Sequence, residues 1–168
     1  MLLTTAQEAP ATALYNRSGL FAGVERFAGA QKPAIVVAAV VNLDRFAELN
    51  DNHGREHGNR VLQAVAKALQ SCVRAGEVVS RTGGDEFVVL ASLRNAKDVA
   101  DLIRRLEHSA GSVADVVTAS VGVAWQYCHC GCDAETLESV LDMADTAMRG
   151  AKREGGDRIC FHAVWPAT

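Results

Sequence analysis

The chain has 168 residues, 49% of them hydrophobic and 22% charged, with a formal net charge of −3. That length and balance suit one globular domain with a proper core and exclude a disordered or fibrous chain. The mildly acidic balance argues against a general nucleic-acid binder, which needs a basic face to displace counterions from phosphates.

Residues 1–12 lack periodicity, include Pro10 and read as a flexible tail or linker stub, leaving 13–168 as the domain. From Leu14 to Ala28 apolar residues recur at helical spacing. Ala34 to Val41 (AIVVAAVV) follows Pro33 as a continuous apolar run, bounded like a buried strand and far too short to span a bilayer. The N-terminus lacks the basic start and apolar stretch of a signal peptide, so a cytoplasmic location with no membrane partner is expected. Asn50 to Asn59 (NDNHGREHGN) reads as a polar, glycine-punctuated loop feeding a helix whose apolar face carries Val61, Leu62, Val65, Ala66 and Leu69. Val78–Thr82 and Phe87–Ser92 read as strands joined by Gly83-Gly84-Asp85-Glu86, a tight turn in which glycine would supply positive φ. Beyond it the pattern predicts a helix over Asn95–His108, a strand over Val116–Ala124, a helix over Glu135–Lys152 and a closing strand over Ile159–Val164. Helices interleaved with strands around a hairpin predict an α/β (α+β) domain, its central sheet of about five strands flanked by helices.

An acidic β-turn alone carries little functional information. Here "RTGGDEF" stands with "VVNLDRFAELND", "GREHGN", "TASVGVA" and "ADTAMRGAK", and the ordered set, from about Leu14 to Ala163, resembles the GGDEF family, the diguanylate cyclases. The resemblance implies a fold similar to the palm of polymerases and nucleotidyl cyclases. It also implies an activity: two GTP molecules joined into cyclic di-GMP with release of two pyrophosphates, by two domains facing one another as a homodimer. That chemistry uses Mg²⁺, in-line attack of a 3′-hydroxyl on an α-phosphate, and stabilisation of the developing charge. By resemblance, Gly83 and Gly84 lie where backbone approaches the nucleotide, Asp85 is a metal ligand, and Glu86 is associated with the reacting hydroxyl and metal. Asn50 matches an asparagine that hydrogen-bonds guanine, and Lys152 a lysine facing the phosphates.

Several positions depart from the family pattern. Asn42 stands for a metal-binding aspartate, so the site loses one formal negative charge, while Asp44, two residues on, keeps its carboxylate. Asn59 replaces the aspartate that reads guanine: a carboxylate accepts two N–H bonds there, an amide accepts one and presents a donor to the other. Ala47 stands for a phosphate-contacting lysine, Arg55 for a histidine and Gly156 for an arginine, and the opening motif lacks its aspartate and glycine. Scaffold motifs kept beside altered ligand positions imply folding intact and catalysis weakened.

Arg74-Ala75-Gly76-Glu77 lies where many family members carry an Arg-x-x-Asp inhibitory site for cyclic di-GMP, with Arg81 and one of Arg104 or Arg105 able to complete it. The alternative is a solvated Arg/Glu surface pair. Five cysteines, an odd number with three crowded at 128–132, fit reduced thiols better than disulfides, and the one-residue spacings of that cluster are tighter than zinc sites use. Two nucleotide-binding readings remain open, a cyclase of weakened activity or a degenerate receptor of cyclic di-GMP or GTP that signals through a partner protein, beside a third, purely structural role. In either, no nucleic-acid polymer is a partner.

Overall fold

The computed structural model describes residues 9, 11–20, 22, 34–113, 116–128 and 133–163. In chain order the elements are β1 (Ala34–Leu43), α1 (Phe46–His53), α2 (Arg55–Cys72), β2 (Glu77–Arg81), β3 (Glu86–Leu93), α3 (Ala96–Val113), β4 (Ala119–Cys128), α4 (Ala134–Arg153) and β5 (Arg158–Ala163). The strands form one mixed sheet in the order β2-β3-β1-β4-β5. β1 is antiparallel to both neighbours, β2 antiparallel to β3, and β5 parallel to β4 after the α4 crossover. This is the expected α+β sheet of five strands flanked by helices.

The unbroken apolar run of β1 follows from its central place, because both of its faces are covered. Ile35, Val37, Ala39, Val41 and Leu43 face a core shared with Val65 and Leu69 of α2 and Leu102 of α3. Val36, Ala38 and Val40 face the opposite layer, where Leu137, Val140, Ala144 and Met148 of α4 cover the sheet. Leu102 is fully buried, so truncating it to alanine costs about 2–5 kcal/mol through lost transfer energy and the cavity left behind. α4 lies close against β4 because Gly122 has no side chain: a Cβ there would stand 2.0 Å from the Ala144 carbonyl oxygen and 2.2 Å from the Met148 nitrogen. Any larger residue at position 122 would push the helix off the sheet.

The segment read as a loop, Asn50–Asn59, is helical on both sides of a single break. Gly54 (φ 81°) ends α1, its N–H bonding to the Asn50 carbonyl at 2.8 Å, and α2 starts at the next residue. Polar composition there reflects two exposed helix ends, and the left-handed glycine confines the break to one residue. The helix expected over Leu14–Ala28 is seen at residues 17–20 and 22, the rest lying outside the described residues. Most of the tail at 1–12, residues 129–132 of the cysteine cluster and Val164 at the end of the expected closing strand also lie outside them. Among the described residues Cys72, Cys128 and Cys160 are free thiols, and burial pushes the Cys72 thiol above its ordinary pKa. No described helix is long and apolar enough to cross a membrane.

Candidate functional site

The C-terminal end of β1, the start of β3 and the start of β4 come together at one end of the sheet. Asn42 lies opposite Glu86 on one side and Ser120 on the other. The hairpin is tied to β1 where the strands end: the Leu43 N–H donates to the Asp85 carbonyl at 3.1 Å, and Asn42 Nδ2 donates to Asp85 Oδ1 at 3.4 Å. The side-chain oxygen of Asn42 is buried without a partner. Glu86 is anchored within its own turn, its Oε1 accepting from the Thr82 hydroxyl at 2.6 Å. Thr82 and Glu86 also border a cleft of about 290 Å³ with Arg17, Leu20, Asp142 and Arg149.

The hairpin turn differs from expectation in one respect. Gly83 and Gly84 are not among the residues with positive φ, so they are not there to supply a left-handed backbone. Both are exposed, and a Cβ on Gly84 would meet nothing within 4 Å while one on Gly83 would approach the Glu86 Cβ at 3.3 Å. What the pair leaves is an uncovered stretch of backbone, closed by Arg81 Nη2 donating to the Gly84 carbonyl at 2.7 Å. Partial burial lowers the pKa of the Arg81 guanidinium, and the neighbouring Asp85 charge opposes that shift.

Asp44 sits just past β1, where its N–H donates to the Thr118 carbonyl at 2.8 Å. Its Oδ1 accepts from the Ser120 hydroxyl at 2.8 Å, and its Oδ2 accepts from the Thr118 hydroxyl and the Asp157 N–H, both at 2.9 Å. The carboxylate thereby joins β1, β4 and the turn before β5. Gly156 (φ 76°) permits this, because a Cβ there would lie 2.9–3.0 Å from the Asp44 carboxylate atoms. The missing arginine at 156 and the saturated Asp44 are thus two sides of one arrangement.

That same turn brings the end of α4 to this edge, the Gly156 N–H donating to the Ala151 carbonyl at 3.0 Å, with Lys152 exposed beside it. α1 leads away from Asp44 and Arg45; it opens without a side-chain cap, so its first N–H groups have no partner within the helix. Asn50 follows one turn on, against the start of α2 near Gly58 and Asn59.

At the far end of β2 the second expected site is partly assembled. Arg105 of α3 donates from Nη1 and Nη2 to the two Glu77 oxygens at 2.7 Å each, and also to the Cys72 carbonyl. The Arg74 N–H adds a bond to Glu77 Oε2 at 2.8 Å. The Glu77 side chain is 4% exposed and that of Arg105 20%, so this is a clasp within the fold and not the solvated pair held open as the alternative. The hydrogen bond to Glu77, helped by its charge, holds the Arg105 guanidinium above the ordinary arginine range. Arg74 is exposed beside the clasp. Arg81 is not part of it: four residues further along an extended strand, roughly 13 Å away, it serves the hairpin turn.

The structure therefore brings Asn42, Asp85 and Glu86 together and gives Asp44 separate work. Asp85, Glu86 and Asn42 supply side-chain oxygens of the kind a hard divalent cation takes, with one charge fewer than three carboxylates would carry. Among the described residues no three His, Cys, Asp or Glu side chains converge as a ready-made metal site. Thr82, Thr118 and Ser120 were not singled out from the sequence; their positions next to or within the quoted motifs were the only available signal.

Comparison with known proteins gives the family and the fold. The family profile described as "Diguanylate cyclase, GGDEF domain" matches residues 8–158. Diguanylate cyclase VdcA of Vibrio cholerae is 34% identical over 130 residues, which cover 71% of this chain and 37% of that protein. The GGDEF domain of DgcB from Caulobacter crescentus, solved in complex with c-di-GMP, superposes with a TM-score of 0.78 at 24% identity, covering 96% of this chain and 98% of that one. Diguanylate cyclase SiaD of Pseudomonas aeruginosa, solved with its activator SiaC, gives a TM-score of 0.77 at 30% identity over 92% of this chain and 61% of that one. The chain thus spans little more than a third of the curated VdcA sequence.

Proposed function

The chain belongs to the GGDEF domain family of diguanylate cyclases of cyclic di-GMP signalling, and on that premise we propose that it binds guanine nucleotide and joins two GTP into cyclic di-GMP plus two pyrophosphates with weakened activity. The observation that carries this reading is the hairpin docked on β1, with Asp85 and Glu86 intact and the neutral Asn42 hydrogen-bonded to Asp85. Asn50 and Asn59 hold the base, while the uncapped N–H groups at the start of α1 and the Lys152 ammonium face the phosphates. The bare backbone of Gly83 and Gly84 forms the wall along which the nucleotide lies. Glu86, held by Thr82, faces the attacking 3′-hydroxyl and accepts a hydrogen bond from it, orienting the oxygen toward the α-phosphate of the nucleotide on a second domain. Pyrophosphate leaves from the opposite side of that phosphorus, so the site is complete only between two copies of the domain. Bound Mg²⁺, held by Asp85 and Glu86 with the Asn42 oxygen, would neutralise phosphate charge. With an amide at 42 that neutralising power falls, which is the reason for placing activity below that of a three-carboxylate site.

Incubation with GTP and Mg²⁺ at high protein concentration tests the reading. Slow formation of cyclic di-GMP that disappears in Asp85→Asn is the expected result; no product, with no GTP bound in calorimetry, would overturn it.

A second reading, a receptor of cyclic di-GMP acting through a partner protein, is favoured by the Glu77–Arg105 clasp beside the exposed Arg74. It expects calorimetric binding of cyclic di-GMP that Arg74→Ala abolishes, and unchanged binding in that variant would remove the Arg74 site from consideration.

A further inference from the structure

We propose that the base-binding corner between α1 and α2 does not discriminate guanine from adenine, so that the domain takes purine nucleoside triphosphates of either kind, and that Asn59 sets this tolerance. The proposal rests on the nucleotide-binding reading above and concerns what that site selects.

The corner is built from two amides. Gly58 is buried at the start of α2, and a Cβ there would lie 1.9 Å from Asn50 Oδ1 and 3.2 Å from Phe46 Cζ. The amide of Asn50 is therefore packed onto the α2 backbone, in a space that exists only because residue 58 has no side chain. Asn59 follows at the next helix position; it is exposed, and among the described residues its amide has no hydrogen-bond partner. Both groups that could read a base edge here are neutral, and each presents one acceptor beside one donor face.

Guanine and adenine differ in what they ask of such groups. The Watson–Crick edge of guanine offers N1–H and N2–H side by side, two donors that a carboxylate accepts together. An amide accepts one of them, N1–H, and can donate its own N–H to the neighbouring O6 carbonyl, so it forgoes N2–H and still makes two hydrogen bonds. Adenine offers a donor, N6–H, beside an acceptor ring nitrogen, which is the pattern an asparagine amide completes with two hydrogen bonds. An amide at position 59 thus completes two hydrogen bonds with either base and gives up the paired N1–H and N2–H contact that sets guanine apart. Asn50, also a neutral amide with one acceptor and one donor face, brings no charge that would favour guanine. Exposed Asp51 and Glu56 are the acidic residues of the 50–59 segment, the groups there whose charge could restore such a preference, which fixes the control the experiment needs.

Calorimetric titration of the purified protein with GTP, ATP and ITP in the presence of Mg²⁺, alongside Asn59→Asp and Glu56→Gln, decides the matter. For the wild type the dissociation constants for GTP and ATP should agree within about threefold, and ITP, which lacks the 2-amino group, should match GTP. In Asn59→Asp the preference for GTP over ATP should rise about tenfold or more, since a paired polar edge discriminates far better than an unpaired one. A wild-type protein that already prefers GTP by more than about tenfold overturns the proposal. So does an Asn59→Asp variant with an unchanged ratio, or a Glu56→Gln variant that shifts the ratio while Asn59→Asp does not. Binding of no purine nucleotide by either wild type or Asn59→Asp, both folded by circular dichroism, overturns the nucleotide reading itself and this proposal with it. Position 59 is exposed and asparagine and aspartate share a shape, so the variant keeps the fold.

Discussion

Asn42 and Asp44 stand two residues apart at the end of the same strand and have opposite fates. Asp44 spends both carboxylate oxygens on three donors at 2.8–2.9 Å, and its neighbour Gly156 lacks the side chain that would collide with it. Asn42 makes one long contact of 3.4 Å to Asp85 and buries its side-chain oxygen with nothing to meet it. A group whose oxygens are all engaged inside the fold holds elements together. A group left partly unsatisfied, beside Asp85 and opposite Glu86, is not used in that way. The Glu77–Arg105 clasp at the other end of β2 belongs with Asp44 in this respect, for its acid is nearly buried and fully bonded. Retained carboxylates therefore do not all mark the reacting centre.

The contrast can be broken by measurement. Asp44→Ala should have the largest effect, about 3 kcal/mol or more of stability in urea unfolding, because it strands two hydroxyls and a backbone N–H together. A loss under about 1 kcal/mol would mean that water replaces the carboxylate and that the knot is not structural. Glu77→Ala comes next, at about 2–3 kcal/mol, since it leaves the Arg105 guanidinium half-buried without its acid. An equal effect from truncating an exposed ion pair such as Glu154–Arg158 would erase the distinction between clasp and surface. Asn42→Asp should act on function: turnover rising about tenfold, equivalent to about 1.4 kcal/mol, with stability unchanged or slightly lower from the added charge beside Asp85. Equal turnover in the two proteins would show that the amide is not what limits the reaction.

The smallest effect concerns pH. Asp133 caps α4, accepting from the Thr136 hydroxyl at 2.6 Å and the Thr136 N–H at 2.8 Å, and these bonds hold its carboxyl below the ordinary aspartate range. A lowered folded pKa means that the unfolded chain binds the proton more readily. The contribution is therefore fully present above the unfolded pKa, about 3.9, and is lost as pH falls through the folded one. Replacing Asp133 with Asn should flatten that part of the acid-unfolding profile and leave stability at neutral pH nearly unchanged, which thermal melts between pH 3 and 7 would register.

Much of this was legible in the chain. The buried strand 34–41, the hairpin around Gly83–Glu86 and the amphipathic helices followed from apolar spacing, because packing faces repeat with the period of the local backbone. The α1–α2 corner was not legible, since ten polar residues with two glycines look the same whether they form a loop or two exposed helix ends divided by one left-handed residue. For the hairpin glycines the expectation of positive φ fails: neither adopts it, and both are exposed.

By itself the sequence determined which chemistries are available: carboxylates at 85 and 86, an amide in place of acid at 42 and again at 59, and the ordered motifs that identify the family. Only the tertiary structure decided which polar groups are free to use them. Asp44 is saturated by partners 74, 76 and 113 positions away, and Glu77 by an arginine 28 positions on. A hydrogen bond is filled by whatever the fold brings within 3 Å, and spacing along the chain carries no record of that.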